Sequence, residues 1–199
     1  MHNLPFDQQL QILLQRAASR NIEADDRYLQ AYPVLLHSIQ GLLPLNQQRL
    51  LLVAHAIFGW MPTQLEVNME LLDAALVIVT PDAEGMIEVS AEQLAQLASI
   101  FQTANGKSVV AASKLLHFIA PTRFPIWDKF VAENWGRTPN GPQAPENHHG
   151  FIQACRQFAL HPEGQNACGV LHQHLAHGGY NYPMTEMRLL ELMLFMPPR

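Results

Sequence analysis

Apolar residues recur at helical spacing along most of the chain, and prolines, glycines and capping residues cut that pattern into segments. Leu10, Leu13, Leu14 and Ala17 mark one face of a helix over 5–20. Asp25 or Asp26 caps a second helix through about Ile39, with Pro33 as a kink inside it. Gly41 and Pro44 break the chain. Asn46 then caps a helix over 47–58, whose Leu50, Leu51, Val53, Ala54 and Ile57 form a core stripe. Gly59-Trp60-Met61-Pro62 ends this helix with Trp60 anchored in the core, and Thr63 caps a short fourth one. Residues 69–79 read as a buried helix, although the β-branched end Leu76-Val77-Ile78-Val79 also fits a strand. Pro81-Asp82-Ala83-Glu84-Gly85 is a turn. Ser90-Ala91-Glu92-Gln93 is a capping box that opens a helix to about Thr103.

The second half continues in the same way. After a turn at Asn105-Gly106, Val109, Val110, Ala112, Leu115, Leu116, Phe118 and Ile119 give a helix over 107–120 a broad apolar face. Pro121 ends it, because proline disfavours helical geometry in the residue before it. Pro121-Thr122-Arg123-Phe124-Pro125 is a tight connection, and the next helix runs over 126–135 to Gly136. Three prolines and two glycines make 138–150 a long loop. Helices follow at about 151–160, 165–177 and 185–196. The expected fold is all-α, with about eight or nine short helices in one compact globular unit and no sheet. If there are two helical lobes, they part near 81–88.

Composition narrows the class. A hydrophobic content of 48% argues against disorder. No apolar run approaches the roughly 20 residues of a membrane-spanning helix. The N-terminal segment MHNLPFDQQLQ has no basic start followed by an apolar stretch, so no signal peptide is expected. Two cysteines, Cys155 and Cys168, are too few for a disulfide framework. The expected setting is cytoplasmic. The net charge of −5 is uneven. Residues 1–105 hold four arginines against eleven carboxylates, whereas 106–137 holds Lys107, Lys114, Arg123, Lys129 and Arg137 against Asp128 and Glu133. Overall acidity disfavours nonspecific nucleic-acid binding. The local basic patch keeps DNA as a partner.

Candidate chemistry concentrates in the same stretch. Lys114 lies mid-helix and Asp128 fourteen residues later, early in the following helix, so a helix–turn–helix can bring them to one cleft. A lysine on a mostly apolar helix is desolvated, which favours a neutral, nucleophilic amine. An aspartate beside it could take a proton or stabilise developing positive charge. Ser113, Lys114 and His117 share one polar edge, and Trp127 could stack on a flat substrate. The structural alternative makes Lys114 an exposed lysine, Asp128 a helix-start residue and Trp127 core.

Six of the ten histidines fall in 148–177, where Cys168/His172 and His174/His177 are paired at helical spacing. Without a Cys-x-x-Cys or His-Glu-x-x-His pattern, neither a metal site nor any cofactor is expected. Arg188 and Glu191 read as a surface ion pair at i,i+3. The last helix is apolar enough to bury against a second copy, so a homodimer is an expectation. Walker, dinucleotide-binding and serine-elbow motifs are absent, which disfavours nucleotide hydrolysis and dinucleotide redox chemistry.

The pattern S-K-L-L-H-F over 113–118, then F-P-I-W-D over 124–128 and Val131, resembles a motif of small bacterial helical proteins. These belong to the 8-oxoguanine glycosylase-like branch of the helix-hairpin-helix DNA glycosylase superfamily. The resemblance covers about 25 residues closely. It implies an all-α, two-lobed fold and excision of a modified nucleobase through a lysine Schiff base. Lys114 then matches the catalytic lysine and Asp128 the assisting aspartate, with Trp127, His117, Lys107, Arg123 and Lys129 as substrate-binding residues. The superfamily's L-P-G-x-G hairpin corresponds here to Thr103-Ala104-Asn105-Gly106-Lys107-Ser108, with one glycine, and the lysine–aspartate spacing is shorter. The competing expectation is a non-enzymatic helical module that binds a protein partner or its own copy.

Overall fold

Helices in this chain begin where a side chain can take up their first free N–H groups. The computed structural model describes residues 1–19, 26–60, 66–103 and 106–195. Asp26 Oδ1 accepts from the amides of Tyr28 and Leu29 at 2.9 and 3.1 Å and opens α2 (Arg27–Gln40). Asn46 opens α3 (Gln47–Trp60) by accepting from Arg49 N at 2.9 Å. Ser90 and Gln93 close the expected capping box on α5 (Ala91–Ile100). Ser108 caps α6 (Val109–Ile119), and Asp128 caps α7 (Lys129–Trp135). The remaining helices are α1 (Phe6–Ser19), α4 (Leu72–Val79, after a 3₁₀ turn at Met69–Leu71), α8 (Ala144–Leu160), α9 (Pro162–His177) and α10 (Glu186–Phe195).

Several expectations change. Ten α-helices are present among the described residues, slightly more than expected. Residues 76–79 are the end of α4, not a strand. The expected loop over 138–150 gives way at Ala144 to α8, because Pro145 sits in its first turn, where a missing N–H costs nothing. The helix expected over 126–135 starts only at Lys129, because segment 124–128 is not helical and Asp128 is itself the N-cap. A small antiparallel sheet also forms, from β1 (Glu66–Val67), β2 (Phe101–Thr103) and β3 (Gly106–Lys107). Its register pairs Val67 with Phe101 and Gln102 with Lys107. Strands of two or three residues are too short to show alternation, so the sequence pattern did not reveal them. Residues 61–63, including the expected Thr63 cap, lie outside the described residues.

Two apolar clusters fill the interior. One gathers α1 and α7 to α10 around Trp127, Trp135, Phe151 and Phe158. The other gathers α2 to α6 around Tyr32, Phe101, Phe118 and Phe124. They meet along α5 and α6, since Ala98 and Val109 belong to the first and Leu97 and Leu115 to the second. Residues 81–88 form a turn whose Ile87 packs in the second cluster. Every residue of α10 from Met187 to Leu194 is buried, packed against α1, α7, α8 and α9. The apolar surface that suggested a homodimer therefore lies inside the chain's own core. Among the described residues no helix is long and apolar enough to cross a membrane.

The α8–α9 corner depends on close backbone approach. A Cβ on Gly164, in the first turn of α9, would overlap the carbonyl of Phe158. Gly164→Ala is expected to destabilise the protein by about 1–3 kcal/mol, or roughly 3–10 °C in Tm. Gly169→Ala, where a Cβ meets nothing within 4 Å, should instead stabilise α9 by about 0.5–1 kcal/mol. Thermal melts of the two variants check the contrast; equal melting points would contradict it.

Candidate active site around Lys114

α6 is buried on nearly all sides; only Val110 is partly open. Each polar side chain on it therefore needs a partner inside the protein. Ser113 Oγ accepts from the Trp127 amide at 3.0 Å and lies 2.8 Å from the Val110 carbonyl, to which it donates. His117 Nδ1 lies 2.6 Å from the Phe124 carbonyl, and Nε2 lies 2.8 Å from the Tyr32 hydroxyl. A carbonyl can only accept, so Nδ1 carries the proton and Nε2 accepts from Tyr32. Burial, reinforced by the Arg188 charge, pushes the imidazole down to about 3, so His117 is neutral. These bonds clamp segment 124–128 against α6 and deliver Asp128 to the start of α7.

Asp128 is buried and accepts from Val131 N at 2.8 Å. Burial raises its pKa despite the Val131 amide and the Lys114 charge. Lys114 is only 4% exposed, and its Nζ is not among the side-chain atoms sealed from solvent without a partner. Burial lowers its pKa to about 8, against the opposing pull of Asp128 and Glu191. Burial thus drives both members of the pair toward their neutral forms.

A second charged pair lies beside them. Arg188 and Glu191 of α10 form an ion pair with side chains 5% and 1% exposed, which overturns the surface reading of this pair. The Arg188 guanidinium lies 4.7 Å from the Tyr32 ring centre and 5.8 Å from that of Trp60. Burial works to lower its pKa, but Glu191, Tyr32 and Tyr182 more than offset this, so it stays charged. A narrow cleft of about 10 Å³, room for a single water, is lined by Tyr28, Trp60, Asp128, Arg188 and Glu191 among others. A shallower and larger one of about 390 Å³ is lined by Lys129 and Phe130 and shares Tyr28, Asp128 and Phe195 with the first. Asp128 stands at their junction. Lys114 is not among the residues lining either cleft.

The other expected substrate-binding residues are placed as follows. Trp127 is fully buried, stacked on His148 at 5.8 Å and against Phe151 at 5.4 Å, so it has no open face for a substrate. His117 is fully buried and its two ring nitrogens are spent on Phe124 and Tyr32. Arg123 is ion-paired with Glu88, which Arg156 also contacts at 2.8 Å, and lines a different cleft with Pro121 and Met86. Lys107 is exposed on β3, and Lys129 is exposed beside Glu133. The Asp128 carboxylate lies within electrostatic reach of the Lys114 amine; of the expected basic residues, Lys129 lines the outer cleft with Asp128, and Lys107 and Arg123 line neither. Sequence reasoning missed Tyr28, Trp60, Arg188 and Glu191 as wall residues. The available signal was a charge pair set inside the otherwise apolar helix MRLLELMLF. Cys155 and Cys168 are free and buried, and burial pushes both thiols up, away from the reactive thiolate. Comparison with known proteins finds no matching family, no matching curated protein and no matching solved structure.

Breaking the buried ion pair leaves an uncompensated charge, whereas replacing both partners with apolar side chains does not. Arg188→Met alone is expected to destabilise the fold by about 3–5 kcal/mol. The double variant Arg188→Met/Glu191→Leu should recover most of that loss. Urea unfolding of the three proteins checks this; a double variant no more stable than the single one would contradict it.

Proposed function

We propose that this chain is a lysine-nucleophile enzyme of the DNA-glycosylase type, excising a modified nucleobase through a Schiff base. The observation that carries the reading is Lys114 itself. It is a largely buried lysine, 4% exposed, on a helix where Ser113 and His117 are both hydrogen-bonded, and burial lowers its pKa to about 8. A lysine kept this way is costly unless its neutral form is used.

In the proposed reaction the neutral Lys114 amine attacks the sugar's C1′. The C1′–N bond breaks and the base leaves with that electron pair. One of the two nitrogen protons passes to the departing base, the C1′–O4′ bond breaks with its electron pair and a solvent proton going to O4′, and a protonated Schiff base forms between Nζ and C1′. Asp128 stabilises the positive charge that develops at the sugar. Because Trp127 is enclosed, stacking on the flipped base falls to Tyr28 and Trp60 at the cleft. Lys129 rims the outer cleft and is suited to a phosphate contact, as is the exposed Lys107. The cleft wall must shift to admit a sugar carbon to Lys114.

A non-enzymatic binding module is the second reading. What favours it is Asp128, whose capping bond to Val131 gives it a structural role with no chemistry attached.

Trapping with cyanoborohydride on an oligonucleotide containing an abasic site separates the two. The expected result is a covalent adduct with the unchanged protein that falls at least about a hundredfold in Lys114→Ala. Its initial rate should rise roughly tenfold per pH unit below the amine's pKa of about 8 and flatten above it, because only the unprotonated amine adds to the aldehyde. Equal adducts in both proteins, or none in either, would overturn the enzymatic reading.

A further inference from the structure

Three connections enclose a separate cavity: the α2–α3 loop at 43–45, the turn after α4 at 80–87 and the α6–α7 connection at 120–123. Its volume is about 590 Å³, larger than either cleft at Asp128. That is the size of a site for a small organic ligand. Buried Val79, Ile87 and Ile119 give it an apolar lining. Neither Lys114 nor Asp128 lines it, so its occupancy is independent of the chemistry proposed for them.

Its polar side chains are not equivalent. Gln40 Nε2 is spent on the carbonyls of Phe118 and Ile119, at 2.7 and 3.1 Å, and the Thr80 hydroxyl donates to the Leu76 carbonyl at 2.6 Å. Among the described residues, Thr122 and Arg123 are then the lining side chains with donors to spare. Arg123 is the lining's one cation, and its neighbourhood is short of acceptors. Arg123 and Arg156 share a single carboxylate, Glu88. Two guanidiniums carry far more N–H donors than one carboxylate can accept. The Nε of each is sealed from solvent without a partner. Asp82 also acts on Arg123, but it is exposed, and its Oδ1 is spent on the amides of Glu84 and Met86 at 2.9 and 2.8 Å. Unsatisfied donors of this kind mark a place for a missing acceptor.

We propose that this cavity binds a medium-chain aliphatic carboxylate, with its chain against Val79, Ile87 and Ile119 and its carboxylate on Arg123. The apolar lining takes up the chain by the hydrophobic effect, and the guanidinium fork pairs with the carboxylate. Arg156 stands over the Phe124 ring, 5.9 Å from its centre, and holds Glu88 at 2.8 Å. Glu88 therefore keeps a partner when Arg123 turns to the ligand.

The test is an NMR titration of protein labelled with ¹³C at the methionine methyls, using octanoate below its micelle concentration and 1-octanol as the uncharged counterpart. Met86 lines the cavity, and its resonance is identified by its loss in Met86→Leu. Octanoate should shift the Met86 methyl saturably, with an affinity at least about tenfold above that of octanol, because a hydrogen bond to a charged group is worth that much. Arg123→Met should bring the two affinities together, with Tm close to that of the unchanged protein. Glu88→Gln leaves both arginines in place and removes their shared carboxylate, so it should tighten octanoate binding. It carries the test should Arg123→Met fail to fold. A Met86 methyl unmoved by octanoate, equal affinities for octanoate and octanol, or octanoate binding not tightened by Glu88→Gln would each overturn the proposal.

Discussion

Ser113 and His117 hold the backbone of segment 124–128 against α6, and the geometry of the site depends on that clamp. The serine accepts the Trp127 amide, and the imidazole donates to the Phe124 carbonyl. Three consequences follow. Segment 124–128 stays out of the helix, so Asp128 becomes the cap of α7 and not an interior residue. Trp127 turns into the first core cluster, against His148 and Phe151. Tyr32 is tied through His117 to the same segment, and its ring supports Arg188. The clamp thus links α2, α6, α7 and α10 around one amine.

The motif that drew attention to this stretch is mostly structural. Ser113 and His117 are clamps, Phe118, Phe124 and Trp127 are core, and Asp128 is a cap. Lys114 alone has no such task. An apolar residue in its place would avoid the cost of hiding an amine from water. Glu191 and Arg188 deepen the contrast, since Lys114, Asp128, Arg188 and Glu191 are four ionisable side chains buried in a mostly apolar interior. An electrostatic arrangement of this kind is what catalysis uses, because charges already desolvated and oriented need no rearrangement as new charge develops.

Much of the fold was legible because capping and helical period are local. Asp26, Asn46, Ser90 and Gly136 mark helix ends as their chemistry requires. The misreadings share a cause: a residue with two uses was assigned the wrong one. Pro145 reads as a loop residue but starts α8. Asp128 reads as a first-turn carboxylate but is the cap itself. Arg188 and Glu191 at i,i+3 suit a solvated face equally well, and only packing on four sides of α10 decides against it. Trp127 beside Asp128 suggested a stacking face, and only the positions of Phe151 and His148 show that it is enclosed. Spacing placed Lys114 and Asp128 on consecutive elements, but the cleft walls brought in from α2, α3 and α10 were not readable from it.

The central claim is that Lys114 carries an amine far easier to deprotonate than an ordinary lysine. The chain has three lysines, so protein labelled with ¹³C at the lysine ε-carbon gives three resonances to titrate by NMR. One of them, identified by its loss in Lys114→Arg, should titrate near pH 8, well below the ordinary 10.5. A Lys114 resonance that titrates near the ordinary 10.5 would contradict the account.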